Sequence, residues 1–359
     1  MYKKARSPIY IMIRNALILV LIFVMFFSFY VNYVFNNKFN EQKLQVIKQD
    51  ELARYNVDIM NKESANPINY ENVPSYLHKY VDCLNKGLKE EELTGEIVNR
   101  IQRLNTIFNN RNNAIGFEYE DLNTGFSLGI RQNTKIFAAS TTKAPLAIYT
   151  YRLVDEGKLD LNQRYTYTSG YYADGTGIIK NNAFGTTYTL KELLDYSITY
   201  SDNVAYLMLS DIVNKNDVRY YFEQKGAKNL YNSSNLNVLY QIFGEITPND
   251  GNVYMKELYN YALKNTTNSN SLVKSFKNSS LNNVQTATNL PVAHKYGWTS
   301  NYVSDMALVF DENPYVLTIT TTMGYEDWST FVIDIATIVQ EIHTLYWNNL
   351  NATCKILLG

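Results

Sequence analysis

The chain has 359 residues, of which 46% are hydrophobic and 19% charged, so it is long enough for one large domain or two ordinary ones. Its formal net charge is -1, with acidic and basic residues mixed along the chain, and this balance indicates no nucleic-acid partner. The two cysteines, Cys83 and Cys354, are far apart and outside any CxxC pattern. They predict no zinc site and leave open whether they pair with each other.

An apolar segment near the N-terminus predicts attachment to a membrane. Residues 16–35 carry no charge and are long enough to cross a bilayer as a helix. Four basic residues, which favour a cytoplasmic N-terminus, precede the segment: Lys3, Lys4, Arg6 and Arg14. A cleaved signal peptide is the alternative, but its apolar run is usually shorter and ends in a small-residue cleavage site, which is not found here. We therefore expect a cytoplasmic tail and an uncleaved, single-pass signal-anchor over residues 1–36, with the rest of the chain outside the cell membrane.

Polar and charged residues with broken helical patterning follow, and they predict a stalk or adaptor over residues 37–94. From residue 95, a helix is expected because four apolar residues share one of its faces: Ile97, Ile101, Leu104 and Phe108. Residues 115–130 are two β-rich runs around an Asn-Thr-Gly turn, a pattern typical of a hairpin.

Helices are predicted in the middle of the chain and strands again near its end. Residues 143–159 indicate one helix, and residues 189–213 indicate one or two more, beginning with a capping box of Thr189 and Glu192. Further on, the pattern predicts a helix after Pro248, two strands joined by a short turn over 303–323, a last helix over 328–346 and a tail over 348–359. Strands at both ends with helices between them favour an α+β fold in which distant segments complete one antiparallel sheet.

A serine and a lysine three residues apart, Ser140 and Lys143, lie among small and apolar residues in "AASTTKAPLA". On a helix, positions i and i+3 project to the same face. Burial lowers the pKa of a lysine because it disfavours the charged form, and a neutral lysine can take the proton of a neighbouring serine. The spacing alone is weak evidence, since Ser271 and Lys274 share it in a polar stretch where we assign no role.

A second polar group, Ser201, Asp202 and Asn203, begins 61 residues after Ser140 within a helical region. Such residues are common at helix caps and turns, which is the structural interpretation. In the functional interpretation, Ser201 relays a proton and Asn203 offers its amide to a substrate. The "DGTG" segment at 174–177 predicts a turn near the entrance of the site, and not a phosphate loop, because no strand-to-helix context surrounds it.

A third group, "HKYGW" at residues 294–298, opens a predicted strand. A lysine there is usually a solvated edge residue. Functionally, Lys295 would attract a substrate carboxylate, and Gly297 would let the substrate lie along the strand without a Cβ in the way. No G-x-S-x-G elbow accompanies the histidines, which we therefore interpret as structural: His78, His294 and His343.

S-x-x-K, S-D-N and a Lys-x-Gly strand, in this order, form the motif set of class A β-lactamases and penicillin-binding proteins. The region 95–346 resembles the class A β-lactamase-like serine hydrolases in these motifs and in the order of "ITPND", "SDMALVF" and the final helix. The resemblance implies a β-lactamase/transpeptidase-like fold over residues 95–347. That fold has a five-stranded antiparallel sheet flanked by helices, an all-helical subdomain, and no cofactor or metal ion.

The resemblance also implies a role for each motif residue. Ser140 would be the acylated nucleophile, Lys143 its activator, and Ser201 the donor of a proton to the departing nitrogen. The carboxylate shared by β-lactams and D-alanyl-D-alanine peptides would face Lys295. The oxyanion would be held by the backbone N–H groups of Ser140 and Trp298. Four residues would bind the substrate: Asn203, Lys295, Tyr296 and Gly297.

Two features depart from the family pattern. Tyr296 stands where the family usually has Thr or Ser, and its hydroxyl reaches several ångströms further out, which changes the expected pocket. Class A β-lactamases also carry a glutamate, on a loop after S-D-N, that activates the deacylating water. The corresponding window here, residues 231–244, holds no acid, and the nearest candidates are Glu223 and Glu245.

We therefore expect a membrane-anchored, extracytoplasmic serine hydrolase that acts on β-lactams or D-Ala-D-Ala-type cell-wall peptides through an acyl-Ser140 intermediate, with slow deacylation. The alternative is a catalytically silent module of the same fold that binds cell-wall peptide or a protein partner in its cleft. The missing glutamate, Tyr296 and the long stalk motivate this alternative. The sequence leaves the oligomeric state open.

Overall fold

An antiparallel sheet and two groups of helices account for most of the residues that the computed structural model describes, which are 56–71, 73–231 and 242–356. The strands are β1 (Asp58–Asn61), β2 (Ile115–Asp121), β3 (Phe126–Ile130), β4 (Ile136–Phe137), β5 (Arg164–Thr166), β6 (Thr187–Thr189), β7 (Glu245–Ile246), β8 (Val292–Trp298), β9 (Val303–Val309) and β10 (Tyr315–Thr321). The helices are α1 (His78–Lys86), α2 (Gly95–Asn109), α3 (Lys143–Asp155), α4 (Leu190–Thr199), α5 (Asn203–Ile212), α6 (Lys215–Glu223), α7 (Pro248–Ala262), α8 (Thr267–Lys277), α9 (Asn283–Thr288) and α10 (Tyr325–Ile356). Short 3₁₀ turns lie at Ser75–Leu77, Glu90–Glu92, Ala139–Thr142, Ser169–Tyr171 and Ile179–Asn181.

The main sheet has the strand order β1-β3-β2-β10-β9-β8, and all neighbouring strands in it are antiparallel. The predicted hairpin is confirmed as β2 and β3. The side chain of Asp121 holds its turn by accepting hydrogen bonds from the backbone N–H groups of Asn123 and Thr124. The sheet thus joins segments from both ends of the described chain, as the α+β prediction required.

The predicted count of five strands is wrong, because β1 adds a sixth at the edge of the sheet. This strand comes from the region assigned to the stalk, and it pairs with β3 over four residues. Lys62, directly after β1, forms an ion pair with the buried carboxylate of Glu118 and lies 3.5 Å from that of Glu120. Pairing and charge together fix this segment to the sheet, so the domain starts before residue 95.

The end of the domain also lies beyond the predicted residue 347. The last helix, α10, continues to Ile356, and Leu350 and Cys354 on it are buried. A disulfide between Cys83 of α1 and Cys354 joins the two ends of the domain across 271 residues of sequence. The question that the sequence left open is therefore answered, because the two cysteines pair with each other.

The two faces of the sheet are covered by different groups of helices. On one face, α2 and α10 pack over aromatic and aliphatic side chains of the strands, and the predicted apolar face of α2 is buried: Ile97, Ile101, Leu104 and Phe108. On the other face, α7 crosses β2, β9 and β10. A second apolar cluster continues from there through α3, α4, α5 and α8.

No helix among the described residues is long and apolar enough to cross a membrane. The predicted signal-anchor at 1–36 and the first part of the predicted stalk, up to residue 55, lie outside the described residues. The predicted membrane attachment therefore stays a prediction.

Candidate active site

The serine of the S-x-x-K motif lies in a 3₁₀ turn that joins β4 to α3. The residue before it, Ala139, has a positive φ of 47°, a conformation that is uncommon for any residue with a Cβ and that often marks a functional site. Ser140 is partly exposed, whereas Lys143, at the start of α3, has no solvent-accessible surface. The turn therefore presents the hydroxyl to solvent and keeps the amine inside.

The Lys143 amine lies among four oxygen atoms. Its Nζ is 2.8 Å from the Ser140 hydroxyl, 2.6 Å from the Ser201 carbonyl, 2.7 Å from Asn203 Oδ1 and 3.3 Å from the Ser201 hydroxyl. The carbonyl and the amide oxygen can only accept hydrogen bonds, so they take two amine hydrogens. A neutral amine has only two, and its lone pair is then left for the proton of the Ser140 hydroxyl. This arrangement suits a general base acting on the serine.

The electrostatic surroundings favour the neutral amine. Burial is the main cause that lowers the pKa of Lys143 well below its ordinary value, and the positive charge of Lys295 lowers it further. The carboxylate of Asp202 acts in the opposite direction and is the weaker influence. The structure thus places the buried Lys143 amine beside the Ser140 hydroxyl, and the reactivity of this serine stays a prediction.

The S-D-N motif forms the connection between α4 and α5. Ser201 has a positive φ of 52°, and its side chain is buried. Asp202 caps α5 by accepting from the Ala205 N–H, and it also accepts from the N–H groups of Ile178 and Ile179. The capping interpretation is therefore confirmed, and the capped turn brings Ser201 and Asn203 to Lys143, whereas their functional roles stay a prediction.

The "DGTG" segment takes a larger part in the site than the predicted turn near its entrance. The Asp174 carbonyl accepts from Asn203 Nδ2 at 2.8 Å, and the Thr176 hydroxyl donates to the Ser201 carbonyl at 2.7 Å. Gly177, with φ of 115°, lies so close to Asp202 that an added Cβ would be 2.4 Å from its carboxylate. The glycines of this segment were a sequence signal for a turn. They did not reveal these contacts, because the contacts join residues that are far apart in the sequence.

Lys295 lies on β8 and meets the S-D-N turn from the side of the sheet. Its Nζ donates to the Ser201 hydroxyl at 3.0 Å and to the Tyr296 carbonyl at 2.8 Å. The side chain is fully buried, and this burial lowers its pKa to about 7, although the nearby carboxylate of Asp305 opposes the effect. The structure therefore brings together the serine hydroxyls and lysines of all three motifs.

Gly297 lies against the backbone around Ser140. A Cβ added at this position would be 2.7 Å from the Ala138 carbonyl oxygen and 2.8 Å from the Ser140 nitrogen. The predicted oxyanion donors, the N–H groups of Ser140 and Trp298, thus lie on two closely packed segments. The Trp298 side chain is 43% exposed and packs on Tyr325, with 5.2 Å between ring centroids.

Tyr296, which stands where the family pattern has a small hydroxyl residue, contacts its neighbours through both its hydroxyl and its ring. Its hydroxyl is 3.0 Å from the Ser280 hydroxyl, and its ring centre is 4.2 Å from the Lys295 amine. The ring is buried and stacks near His294. Its contacts are thus with the turn after α8 and with Lys295, and a role in substrate binding stays a prediction.

The histidines make structural contacts. His294 bridges the Asp305 carboxylate and the Ser279 carbonyl, and His343 bonds the Tyr119 hydroxyl inside the domain. His78 contacts the Val73 carbonyl near the start of α1. Within the described part of the chain, no cluster of three His, Cys, Asp or Glu side chains could hold a metal ion.

The two candidates for a deacylating base lie in different places. Glu223 ends α6, where its carboxylate is 3.8 Å from Arg219 on the outside of the molecule. Glu245 lies on β7, opposite Phe137 of β4, the strand that leads to Ser140. Most of the acid-free window, residues 232–241, lies outside the described residues.

Comparison with known proteins agrees with this site. The model of the β-lactamase enzyme family matches residues 99–343. No protein with a curated description matches the chain by sequence. Among solved structures, PBP-A is similar with a TM-score of 0.61 and 22% identity, over 70% of this chain and 96% of that one.

Two bacterial β-lactamases have the same fold at lower identity. The enzyme from Sphaerobacter thermophilus DSM 20745 has a TM-score of 0.58 and 17% identity, over 77% of this chain and 99% of that one. The enzyme from Xanthomonas campestris pv. campestris str. ATCC 33913 has a TM-score of 0.61 and 17% identity, over 70% and 99%. Because the family model spans most of the sequence and the fold agrees, we conclude that the chain is a serine hydrolase of the β-lactamase enzyme family.

Proposed function

We propose that this hydrolase is anchored in the cell membrane, faces the outside of the cell, and reacts with β-lactams or D-Ala-D-Ala-type peptides through an ester on Ser140 that is hydrolysed slowly. The observation that carries the acylation step is the position of Lys143, whose two hydrogens are taken by fixed acceptors and whose lone pair is left for the Ser140 hydroxyl. The ester forms as the serine oxygen attacks the carbonyl carbon, the amide C–N bond breaks, and the nitrogen receives a proton through Ser201.

The proposed substrate class follows from the charges in the cleft. Lys295 is a buried amine that is positively charged when protonated, and it faces the same hydroxyl, that of Ser201, that Lys143 contacts. A substrate with a carboxylate next to its scissile amide would place that carboxylate at Lys295, and both β-lactams and D-alanyl-D-alanine peptides have this layout. A mutant of the structurally similar PBP-A has been solved as an acyl-enzyme complex with penicillin G, which agrees with this class of ligand.

Slow deacylation is proposed because the 231–244 window contains no acid to activate water. Without such a base, the ester is expected to persist after the leaving group has been expelled. A penicillin would then trap the protein, and the biological role would be that of a cell-wall peptidase or a slow hydrolase.

The proposed location draws on two features of the chain. Residues 16–35 are apolar and follow four basic residues. The Cys83–Cys354 disulfide supports an oxidising compartment, since such bonds persist outside the cytoplasm. Peptidoglycan and penicillins are both met on that side of the membrane. Protease accessibility of the domain in intact cells tests the orientation, and protection until the membrane is permeabilised would contradict it.

Labelling of the full-length chain in mild detergent with a fluorescent penicillin tests the acylation step. We expect a covalent adduct that is absent in Ser140→Ala and strongly reduced in Lys143→Ala. The adduct's lifetime after removal of free penicillin then tests deacylation. Unlabelled native protein would favour the alternative of a silent binding module.

Glu245→Gln gives the sharpest test of the missing base, with Glu223→Gln as the matched control on the outside of α6. The proposal expects the same adduct lifetime in both variants as in the native chain. A lifetime at least tenfold longer in Glu245→Gln alone would identify Glu245 as a deacylating base and would refute slow, unassisted hydrolysis.

A further inference from the structure

The carbonyl oxygen of Ser201 is shared by two donors. Lys143 Nζ lies 2.6 Å from it and the Thr176 hydroxyl lies 2.7 Å from it. A carbonyl oxygen has two lone pairs, so these two donors fill its capacity. Thr176 therefore contacts the same atom that orients the catalytic lysine, although it belongs to a loop that none of the three motifs includes.

The peptide group that carries this oxygen is held at both ends. Its carbonyl accepts from Thr176 and Lys143, and its N–H, which belongs to Asp202, donates to the Tyr196 carbonyl. Ser201 has a φ of 52°, a conformation that costs free energy for a residue with a side chain and persists only where the surroundings enforce it. Rotation of this peptide would take the acceptor away from the lysine amine.

The loop of Thr176 also holds the second acceptor of Lys143. The Asp174 carbonyl accepts from Asn203 Nδ2, which turns Asn203 Oδ1 toward the amine, and the Thr176 carbonyl accepts from the Asn203 N–H at 3.1 Å. Gly175 and Gly177 keep the loop this close, because a Cβ at either position would collide with Asn203 or Asp202. Both fixed acceptors of the amine thus depend on one short loop.

We propose that Thr176 is a positioning residue for acylation, which holds the Ser201 carbonyl so that Lys143 directs its lone pair at the Ser140 hydroxyl. The inference rests on the acyl-Ser140 chemistry of the proposed function. A hydroxyl donor at this carbonyl also withdraws negative charge from the oxygen that the amine faces. Removal of this donor makes the oxygen a better partner for the ammonium form of Lys143. The acid limb of the pH–rate profile, where the rate falls as the lysine becomes protonated, therefore moves to higher pH.

Other charged groups around the amine stay the same when Thr176 is changed. Those that face Lys143 are Lys295 from β8, Asp202 from the turn between α4 and α5, and Tyr206 from α5, whose ring centre is 5.9 Å from the amine. A shift of the acid limb of the pH–rate profile in a Thr176 variant would therefore result from loss of the hydrogen bond to the Ser201 carbonyl.

The test compares Thr176→Val, which removes the hydroxyl at nearly constant shape, with Thr176→Ser, which keeps it. Thr186→Val is the matched control, because the Thr186 hydroxyl also donates to a backbone carbonyl, that of Ala183, at 2.7 Å and away from the lysines. Thr176→Ala replaces the valine variant if thermal unfolding shows that the latter does not fold.

The rate of covalent modification of Ser140 is measured from pH 5 to 9 on the full-length chain with two probes. One is a fluorescent penicillin, and the other is a fluorophosphonate. In the fluorophosphonate reaction the serine oxygen bonds to phosphorus, fluoride leaves, and Lys143 takes the hydroxyl proton. The second probe needs an activated serine but no β-lactam recognition, so it separates failure of this inference from failure of the proposed substrate class.

We expect Thr176→Val to react about tenfold more slowly at pH 7 with both probes, with its acid limb at higher pH, since one hydrogen bond of this kind is at stake. Thr176→Ser is expected to stay within about threefold of the native rate, and Thr186→Val to match it. A native rate and native acid limb in Thr176→Val would overturn the inference. A slower rate with an unchanged acid limb would indicate a merely structural role and would also overturn the inference. A native chain that does not react with the fluorophosphonate would overturn it too.

Discussion

Replacement of Lys295 by methionine is expected to stabilise the protein at neutral pH while it removes the cation of the cleft. Lys295 is fully buried, and its pKa falls from an ordinary value of 10.5 to about 7 because burial disfavours its charge. The unfolded chain therefore binds more protons than the folded one between these two values, so stability rises with pH across this window. Below pH 7 the penalty is fully present, and above 10.5 it is gone.

The magnitude follows from the same two values. Each pH unit of pKa difference corresponds to about 1.4 kcal/mol, which gives a penalty of roughly 4 kcal/mol at pH 7. Methionine, similar in length, avoids this penalty but loses the hydrogen bonds to the Ser201 hydroxyl and the Tyr296 carbonyl, at roughly 1 kcal/mol each. We therefore expect Lys295→Met to be about 2 kcal/mol more stable than the native chain at pH 7.

Urea unfolding at pH 7, 8 and 9 measures this difference directly. The advantage of Lys295→Met is expected to shrink by about 2 kcal/mol between pH 7 and 9, because the proton that the native lysine releases on folding costs less free energy to release as the pH rises toward 10.5. Lys86→Met, at the exposed end of α1, is the control and is expected to show no such trend. A difference between Lys295→Met and the native chain that stays constant from pH 7 to 9 would refute the reasoning.

Three further changes have outcomes that the structure specifies. Gly297→Ala should abolish labelling by penicillin while the chain still folds, because its Cβ would enter the contact with the Ser140 nitrogen; equal labelling of this variant and the native chain would contradict the close approach. Asp202→Ala should lower the unfolding free energy by about 2 kcal/mol or more and slow acylation, since three backbone N–H groups lose their acceptor, and both are measured on one preparation. Serine at both Cys83 and Cys354 should cost about 2–5 kcal/mol of stability in urea and leave the acylation rate unchanged, because the disulfide joins α1 to α10 and not to the cleft.

Local patterns in the sequence were enough to predict most of the elements that surround the site. The apolar face of α2, the Thr189 and Glu192 capping box and the hairpin turn are all short-range features, and all three are confirmed. The stretch 189–213 was expected to form one or two helices, and it forms two because Ser201, with its positive φ, interrupts the helical backbone.

Features that depend on distant parts of the chain were missed or left open. Strand β1 has only four residues and becomes a strand because the edge of β3 is available to it. The two cysteines meet because α1 packs on α10, which no spacing rule can show. The part that Thr176 takes was missed for the same reason, since its hydroxyl bonds a carbonyl 25 positions away. The contact of the Tyr296 hydroxyl with Ser280 was also not visible in the sequence.

The two buried lysines share a contact in the candidate site. Both contact the Ser201 hydroxyl, at 3.3 Å from Lys143 and 3.0 Å from Lys295. Burial is the main cause that lowers the pKa of both lysines, and the positive charge of Lys295 lowers that of Lys143 further. Nearby carboxylates act in the opposite direction, Asp202 on Lys143 and Asp305 on Lys295. In its protonated form, Lys295 would have the charge needed to hold a substrate carboxylate. That same charge adds to the effect of burial in favouring the neutral form of Lys143, so the group that would recognise the substrate would also support the base.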